Sequence, residues 1–248
     1  IAIKQIFTLS AIILLTTPVI ADINPTISPT AKYTNSNGEE EESTAYSGSA
    51  PITGKFAANT SNLGSWNAHY EWRFYTEGNS ASPYIIRYEQ DTEYTFTKAG
   101  TNYIELYATF TQGTDTVAYT ANYWSETNPM SITISESKLD MPNAFSPNGD
   151  GINDVYKAKD GYQSIIEFHA YIFNRWGQQL YSWDNPADGW DGKFHGKDVK
   201  QGVYFVLVKA KGADGIKYNI KRDVNLLRGF SENTNNKEYP PLLPLPRR

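Results

Sequence analysis

Apolar and polar residues alternate through most of the chain between residues 44 and 137. In HYEWRFYTEG, at residues 69–78, Tyr70, Trp72 and Phe74 fall on one side of an extended chain and mostly polar residues fall on the other. Alternation of this kind predicts a half-buried strand. The same pattern predicts further strands at 52–58, 92–96, 103–110, 117–123 and 130–134. About seven short strands at this spacing indicate a β-sandwich, in which Trp72 would pack between the sheets.

The region 138–230 continues the alternation. Strands are predicted there at 165–174, 179–183, 202–211 and 217–227. In the third of these, apolar residues occupy both faces, at positions 203, 205 and 207 and at positions 204, 206 and 208. A strand that is apolar on both faces is typical of the buried centre of a sheet. The sequence therefore predicts an all-β protein with two consecutive immunoglobulin-like β-sandwiches, at 22–137 and 138–230.

The composition agrees with this fold class and excludes several kinds of chemistry. The 248 residues include 18 tyrosines, 6 tryptophans and no cysteine, and the formal net charge is -5. Aromatic residues favour strands. Without cysteine the chain has no disulfide, no thiolate nucleophile and no thiolate metal ligand. The acidic balance and the lack of a basic stripe argue against nucleic acid as a partner.

The first 21 residues have the composition of a secretory signal peptide. Lys4 precedes an apolar run at 6–19, and compact residues lead to an expected cleavage after Ala21. As a membrane anchor, this run would be too short for a hydrocarbon core of about 30 Å. No later segment is long and apolar enough to span, so we expect no transmembrane span in the processed chain.

A lead-in at the start of the first unit and a tail after the second unit are predicted to carry no strand of the sandwiches. Pro25 and Pro29 exclude a helix from residues 22–44, which we expect to form an extended lead-in with Glu39–Glu42 solvated. Residues 231–248 contain four prolines, and this tail is expected to be disordered or extended.

The segment PNAFSPNGDGINDVY, at residues 142–156, contains prolines, glycines, asparagines and aspartates that exclude a helix or a regular strand. Alternate oxygen-bearing residues could wrap one calcium ion. The ligands would be Asn148, Asp150, the carbonyl of Ile152, and Asp154, with Asn153 beside them. Lys157 and Lys159 stand where a bidentate acidic ligand would be needed, so the EF-hand pattern fails. The alternative is an Asx-rich turn that satisfies its own backbone, and both interpretations remain open.

Three more motifs follow. In IFNRWGQQLYSWD, at residues 172–184, Asn174–Gly177 form a predicted turn in which Arg175 could stack on Trp176; a hairpin whose tryptophan closes the core is the preferred interpretation. In WDGKFHG, at residues 190–196, Asp191-Gly192 predicts a tight turn. Asp191 and His195 would supply only two ligands, too few for a metal site. The last motif is QGVYFVLV, at residues 201–208.

In this order the four motifs resemble the gliding-motility-associated C-terminal domain, the type B sorting domain of the Bacteroidetes type IX secretion system. The resemblance implies export through the inner membrane, transfer across the outer membrane by the type IX machinery as partner, and a final location on the cell surface or in the medium. The residues that carry it are Pro142, Asn143, Phe145, Ser146, Pro147, Asn148, Gly149, Asp150, Gly151, Asn153, Asp154, Asn174, Arg175, Trp176, Gly177, Trp190, Asp191, Gly192, Gly202 and Tyr204.

A weaker resemblance links residues 22–137 to polycystic-kidney-disease (PKD) type domains. It rests on Ala50-Pro51-Ile52, Tyr70-Glu71-Trp72 and the segment 94–106, in which Gly100 is expected to adopt a positive φ. The FGDG turn of that family is absent, and Phe74–Gly78 stand in its place. The resemblance implies an immunoglobulin-like fold and no function tied to that turn.

The function of the first sandwich is left as three hypotheses. The chain has no GxSxG, HExxH or phosphate-loop motif, and its three histidines lie in unrelated contexts, so an enzyme is not expected. A non-catalytic interaction or adhesion module comes first, with a protein or glycan ligand that no motif identifies. A carbohydrate-binding module comes second, and a small hydrolase third. Stacking platforms for a sugar would be Trp66, Tyr70, Tyr75 and Trp124, provided that they are exposed.

Overall fold

The computed structural model describes residues 23–228. The predicted signal peptide at 1–21, its cleavage after Ala21 and the predicted tail at 231–248 lie outside the described residues. Between residues 23 and 228 the regular secondary structure is strand apart from one short helix, and the chain builds two hydrophobic cores, which confirms the all-β fold class. No helix in this span has the length and apolar character needed to cross a membrane.

Two packed sheets form the first unit. Its elements are β1 (Thr30–Thr34), β2 (Glu40–Glu42), β3 (Ala45–Gly48), β4 (Ile52–Ala57), β5 (Asn67–Thr76), β6 (Ile85–Arg87), β7 (Asp91–Phe96), β8 (Gly100–Gln112), β9 (Asp115–Tyr119), α1 (Ala121–Thr127) and β10 (Met130–Ile134). One sheet has the strand order β2-β1-β4-β7, and the other has the order β3-β10-β8-β5-β6, with β9 also paired to β8. All pairs are antiparallel except β3 with β10.

An aromatic core joins these two sheets. Phe56 on β4 contacts Trp72 and Phe74 on β5, with ring centroids 5.9 and 5.4 Å apart. Trp72 is fully buried, as predicted, and its indole N–H donates to the carbonyl of Gln90 at 3.2 Å. Gly100, at the start of β8, has a φ of 114°, which confirms the predicted positive value. The period-two pattern therefore identified the residues that hold this sandwich together.

The predicted lead-in is a strand of the sandwich, which corrects the expectation for residues 22–44. β1 pairs with β4 along its whole length, and Ala31 and Tyr33 on its inner side are buried. Prolines exclude a helix but leave an extended chain free to pair. Glu40–Glu42 are exposed on the edge strand β2, so the solvated acidic run is confirmed.

A short helix replaces the second half of the strand predicted at 117–123. β9 and β10 pair with the same edge of β8 at different places, one from Ala108 onward and the other up to Ile104. The carbonyl of Leu106 lies between them and accepts a hydrogen bond from the indole of Trp124 at 2.9 Å. The helix α1 thus connects β9 to β10, and its Trp124 supplies the hydrogen-bond donor for the β8 carbonyl that neither strand pairs with.

The second unit is built of strands alone. They are β11 (Ala144–Phe145), β12 (Tyr156–Lys157), β13 (Ile165–Phe173), β14 (Gln179–Trp183), β15 (Gly189–Trp190), β16 (Lys193–Phe194), β17 (Lys197–Asp198), β18 (Gly202–Gly212) and β19 (Lys217–Leu226). They form a main sheet in the order β11-β19-β18-β13-β14 and two small ribbons, β12-β15 and β16-β17. The core includes residues from the main sheet together with Tyr156 and Trp190 from the first ribbon.

The strand β18 is central in this sheet, as predicted, but only one of its faces is buried. Tyr204, Val206 and Val208 point into the core. On the opposite face Val203 is 50% exposed and Phe205 is 45% exposed. The prediction of two buried faces was therefore wrong, because the second layer of this unit covers only one side of the sheet.

The two units touch through buried polar contacts. The hydroxyl of Ser164 accepts a hydrogen bond from the backbone N–H of Ala50 at 3.1 Å and lies 2.8 Å from the hydroxyl of Ser135. The N–H of Ala99 donates to the carbonyl of Ala213 at 3.0 Å, and the side chain of Ala213 belongs to the core of the first unit. The β18–β19 turn and the start of β13 therefore form the end of the second unit that faces the first.

Replacing Ser164 by alanine should lower the free energy of unfolding by about 1 to 3 kcal/mol, because the buried N–H of Ala50 loses its acceptor. Urea unfolding of the chain measures the change. The exposed Ser182 provides the control, since Ser182→Ala should change stability by no more than about 0.5 kcal/mol. Equal effects for the two variants would show that the contact between the units contributes nothing.

Candidate functional site: the motif-bearing end of the second unit

The four sequence motifs meet at the end of the main sheet that is remote from the first unit. Gly202 pairs with Leu226, and Leu226 pairs with Phe145 at the start of the 142–156 loop. Phe173, just before the 174–177 turn, pairs with Phe205 at the same end. The other end of β18 is Gly212, eleven residues along, which places about 33 Å between the motifs and the contact with the first unit.

The loop between Asn148 and Asp154 is closed by its own backbone. One oxygen of Asp154 accepts the N–H groups of Asn148 at 2.9 Å and Gly149 at 2.7 Å, and the other accepts the N–H of Gly151 at 2.8 Å. The hydrogen bonds from Gly149, Gly151 and Asn148 hold the pKa of Asp154 below its usual range. Gly149 and Gly151 have φ values of 83° and 84°, which give the loop its curvature.

The direction of the hydrogen bonds in this loop favours the Asx-rich turn over the calcium site. The carboxylate of Asp150 accepts the N–H of Ile152 at 2.9 Å and a bond from the amide of Asn148 at 3.1 Å. Donors thus converge on carboxylates, whereas a calcium ion needs oxygens that converge on one point. Among residues 23–228, no group of three or more histidine or acidic side chains is placed to hold a metal.

Calcium is therefore expected to leave the thermal midpoint of the chain unchanged, with or without a chelator, since the loop carboxylates already have backbone donors. Differential scanning fluorimetry at millimolar calcium measures this. Asp150→Ala serves as the matched variant. A calcium-dependent rise that Asp150→Ala abolishes would establish the calcium site and contradict the turn.

The contribution of Asp154 to stability should depend on pH in a defined direction. A lowered folded pKa means that the stabilisation is fully present above the unfolded pKa, near 3.9, and is lost as the pH falls through the folded pKa. Asp154→Asn should thus be less stable than the unchanged chain at pH 7, and the difference, measured by urea unfolding, should shrink as the pH falls below about 3.9. The control Asp160→Asn, at a highly exposed aspartate, should show a smaller difference at pH 7. A stability difference between Asp154→Asn and the unchanged chain that is the same at pH 7 and at pH 2 would contradict this cause.

Aromatic rings support the loop from inside. Trp190 is fully buried, with ring centroids 5.4 Å from Phe145 and 5.1 Å from Tyr204. Its indole N–H donates to the carbonyl of Lys193 at 2.7 Å. Tyr156 donates to the carbonyl of Pro142 at 3.0 Å, which anchors the first residue of the loop. Residues from three of the motifs therefore share one hydrophobic core.

Arg228 connects the motifs, and sequence analysis did not select it as a site residue. Its guanidinium donates to the carbonyls of Pro147 at 3.1 Å, Gly192 at 2.8 Å and Val199 at 3.1 Å. It also lies 3.4 Å from the carboxylate of Asp198. A planar guanidinium presents five N–H donors in a fixed geometry, so a single arginine side chain can bind three carbonyl acceptors at once. The only signal in the sequence was the position of this arginine after the last strand.

Gly192 is required where the loop, the WDG turn and Arg228 meet. Its φ is 78°, and a side-chain carbon there would lie 3.0 Å from the ring of Pro147 and 3.1 Å from the guanidinium of Arg228. The N–H of Lys193 donates to Asp191 at 3.0 Å, which confirms the tight turn predicted at Asp191-Gly192. Glycine is required at this position because the backbone is left-handed and because Pro147 and Arg228 leave no room for a side chain.

The turn at residues 174–177 is confirmed, but its tryptophan does not close the core. The N–H of Gly177 donates to the carbonyl of Asn174 at 3.0 Å, and the Asn174 side chain accepts the N–H of Trp176 at 2.9 Å. Trp176 is 82% exposed, with the guanidinium of Arg175 at 5.6 Å from its ring. Trp190 and Tyr204 pack against each other in the core of this unit, whereas Trp176 lies on the surface.

The remaining motif residues lie at the same end of the unit. Asn143 accepts the N–H of Asn225 at 2.9 Å, and the N–H of buried Ser146 donates to the carbonyl of Asn153 at 2.8 Å. Asn153 has a φ of 52°. The hydroxyl of Tyr204 donates to the carbonyl of Lys200 at 2.6 Å. The structure therefore brings all the predicted motif residues into one assembly.

Comparison with known families identifies this assembly. Residues 139–221 match the family model CHU_C, a type IX secretion signal domain. The second unit is a type IX secretion signal domain. This confirms the predicted resemblance and implies export to the cell surface or the extracellular space, with the type IX machinery as partner. The PKD-like resemblance of residues 22–137 stays a prediction.

Two other comparisons add no functional argument. No curated protein matches the chain. Among solved structures, a tetra-tandem repeat in the extending region of a large adhesion protein aligns with 83% of this chain and 68% of its own, at 10% identity and a TM-score of 0.24.

The four aromatic residues considered as sugar platforms are all buried. Trp66, Tyr70 and Trp124 belong to the hydrophobic core of the first unit. Tyr75 is buried against Tyr103 and donates to the carboxylate of Glu105 at 2.7 Å. A sugar ring could stack on none of them, so the carbohydrate-binding hypothesis loses the residues on which it rested.

Proposed function

We propose that this protein is carried out of the cell by type IX secretion and that its first unit is a non-catalytic interaction or adhesion module displayed by that route. The observation that supports the export step is the type IX secretion signal domain at residues 139–221. Its motifs lie about 33 Å from the first unit, so cargo and signal present separate surfaces.

The outer face of the larger sheet supports an interaction role for the first unit. Arg73 stacks over the ring of Tyr107 at 4.2 Å and donates to Glu71 at 2.6 Å. These side chains are partly exposed on neighbouring strands β5 and β8, beside the buried Glu105. Arginine and tyrosine are enriched in protein interfaces, and a network with fixed rotamers loses little entropy on binding.

A reciprocal deletion tests the proposal. Residues 1–137 alone should accumulate in the periplasm, while residues 1–22 joined to 136–248 should reach the surface or the medium. Protease accessibility on intact cells and immunoblots of periplasm and medium give the locations. A soluble periplasmic pool of the 1–137 chain controls for misfolding, and surface display of that chain would overturn the proposal.

A further inference from the structure

The exposed face of the main sheet in the second unit carries apolar side chains at its motif-bearing end. The register pairs Phe173 with Phe205 and Tyr171 with Leu207, so these side chains are cross-strand neighbours on one face. Val203 lies on the same face of β18, two residues before Phe205. We call these five residues the apolar strip. None of them belongs to either hydrophobic core of the described chain, and Val203 and Phe205 are about half exposed.

The other half of the same face is basic. Lys209 and Lys211 follow Leu207 on the outer side of β18. On β19, Lys221 lies opposite Leu207 and Lys217 lies opposite Lys211. We call Lys209, Lys211, Lys217 and Lys221 the lysine patch. The strip and the patch are thus successive halves of one sheet face.

The lysine patch is not neutralised by the described chain. Lys211 forms an ion pair with Glu167, with 3.3 Å between Nζ and the carboxylate. Within residues 23–228, no acidic side chain lies within ion-pair distance of the other three lysines. Glu167 and Asp223 are the acidic side chains that β13, β18 and β19 place on this face, which leaves it with an excess of positive charge. The chain as a whole has a formal net charge of -5, so this face is an exception.

A face with these two halves fits a partner that is both apolar and anionic. Protein–protein interfaces are depleted in lysine. A lipid surface with anionic headgroups attracts lysines, and exposed apolar side chains add to the binding by entering the boundary between headgroups and acyl chains. The long lysine stem lies along apolar surface while its ammonium group reaches the headgroups. We propose that this sheet face docks on an anionic lipid surface, with the apolar strip inserted and the lysine patch on the headgroups.

The shape of the face permits both contacts together. From Val203 to Lys211 the strand β18 extends about 26 Å, and three neighbouring strands give a width of about 10 Å. Lys209, Lys217 and Lys221 are exposed, so the first unit does not cover the patch. A second copy docked face to face would set lysines against lysines or against apolar side chains, and both arrangements are unfavourable. A lipid surface is therefore the occupant that suits both halves.

Flotation with lipid vesicles tests the proposal. The protein is the chain from residue 22 onward, because the apolar run at 6–19 would bind lipid by itself. It should float with vesicles of phosphatidylcholine mixed with phosphatidylglycerol and remain unbound with vesicles of phosphatidylcholine alone. Added salt should weaken the binding, since it screens the charge of the lysines.

Two matched variants separate the lysine patch from the overall charge. Lys209→Gln with Lys217→Gln should lower the partition onto the anionic vesicles about 30-fold, because each lysine near an anionic surface contributes roughly fivefold. Lys55→Gln with Lys197→Gln removes the same charge from exposed positions outside this sheet and should change the partition by less than about twofold. All four side chains are exposed, so both variants should keep the fold.

A third variant tests the apolar strip. Val203→Ser with Phe205→Ser should lower the partition at least about tenfold, because two half-exposed apolar side chains no longer enter the lipid. Thermal unfolding followed by circular dichroism shows whether this variant is folded. The lysine variants decide the proposal if it is not.

Several outcomes would overturn the proposal. The first is no flotation with the anionic vesicles, and the second is an equal loss in the two lysine variants. Binding of soluble polyglutamate by the lysine patch, without vesicle binding, would assign the face to an acidic protein partner. A dimeric mass in sedimentation without vesicle binding would assign it to a second copy. The assay contains no secretion machinery, so its result is independent of the proposed export.

Discussion

Trp190→Ala should lower the free energy of unfolding of the second unit by about 3 to 5 kcal/mol, the largest stability effect we expect from one substitution. The indole is fully buried between Phe145 and Tyr204 and donates to the carbonyl of Lys193. Its removal leaves a cavity where the motifs share their core, and domains of this kind have only about 5 to 15 kcal/mol of stability in total. Urea unfolding followed by circular dichroism measures the loss.

The control is an exposed tryptophan of the motifs. Trp176 is highly exposed, so Trp176→Ala should change the stability by no more than about 0.5 kcal/mol. A loss below about 1 kcal/mol for Trp190→Ala would mean that the aromatic cluster is not the core of the motif-bearing end.

Trp176→Ala should strongly reduce the surface-exposed fraction of the protein and raise the periplasmic fraction, without loss of stability. Trp176 exposes a large apolar ring to water beside Arg175. Tryptophan and arginine are enriched among the residues that contribute most of the binding energy in protein interfaces. It stands on a turn at the end of the unit that is remote from the cargo. Quantitative immunoblots of surface, periplasm and medium measure the distribution.

The matched variant is Tyr88→Ala, at an aromatic residue that is 60% exposed in the first unit. It should be delivered like the unchanged chain. Equal surface-exposed fractions for the two variants would show that the secretion machinery does not bind the 174–177 turn.

Several elements could be predicted from the sequence because they depend on local chemistry. Alternation placed Tyr70, Trp72 and Phe74 on one side of a strand, and that side is buried. The strands at 130–134 and 179–183 have the predicted ends. The turns at 174–177 and 191–192 followed from asparagine, aspartate and glycine. These features need only the period of the strand and the conformations that each residue allows.

Other features depend on partners far away in the chain. The lead-in became β1 because β4 offered an edge, and α1 formed because β9 and β10 share one edge of β8. The exposure of Trp176 and Phe205 depends on how much of the sheet the second layer covers. Arg228 binds carbonyls 29 to 81 residues away. No window of the sequence contains these pairings.

Export by type IX secretion is tested by locating the unchanged protein in a host bacterium with and without a working type IX secretion system. Fractionation into periplasm, surface and medium gives the distribution in both strains. We expect the protein on the surface or in the medium of the intact strain and in the periplasm of the disabled strain. The same distribution in both strains would contradict it.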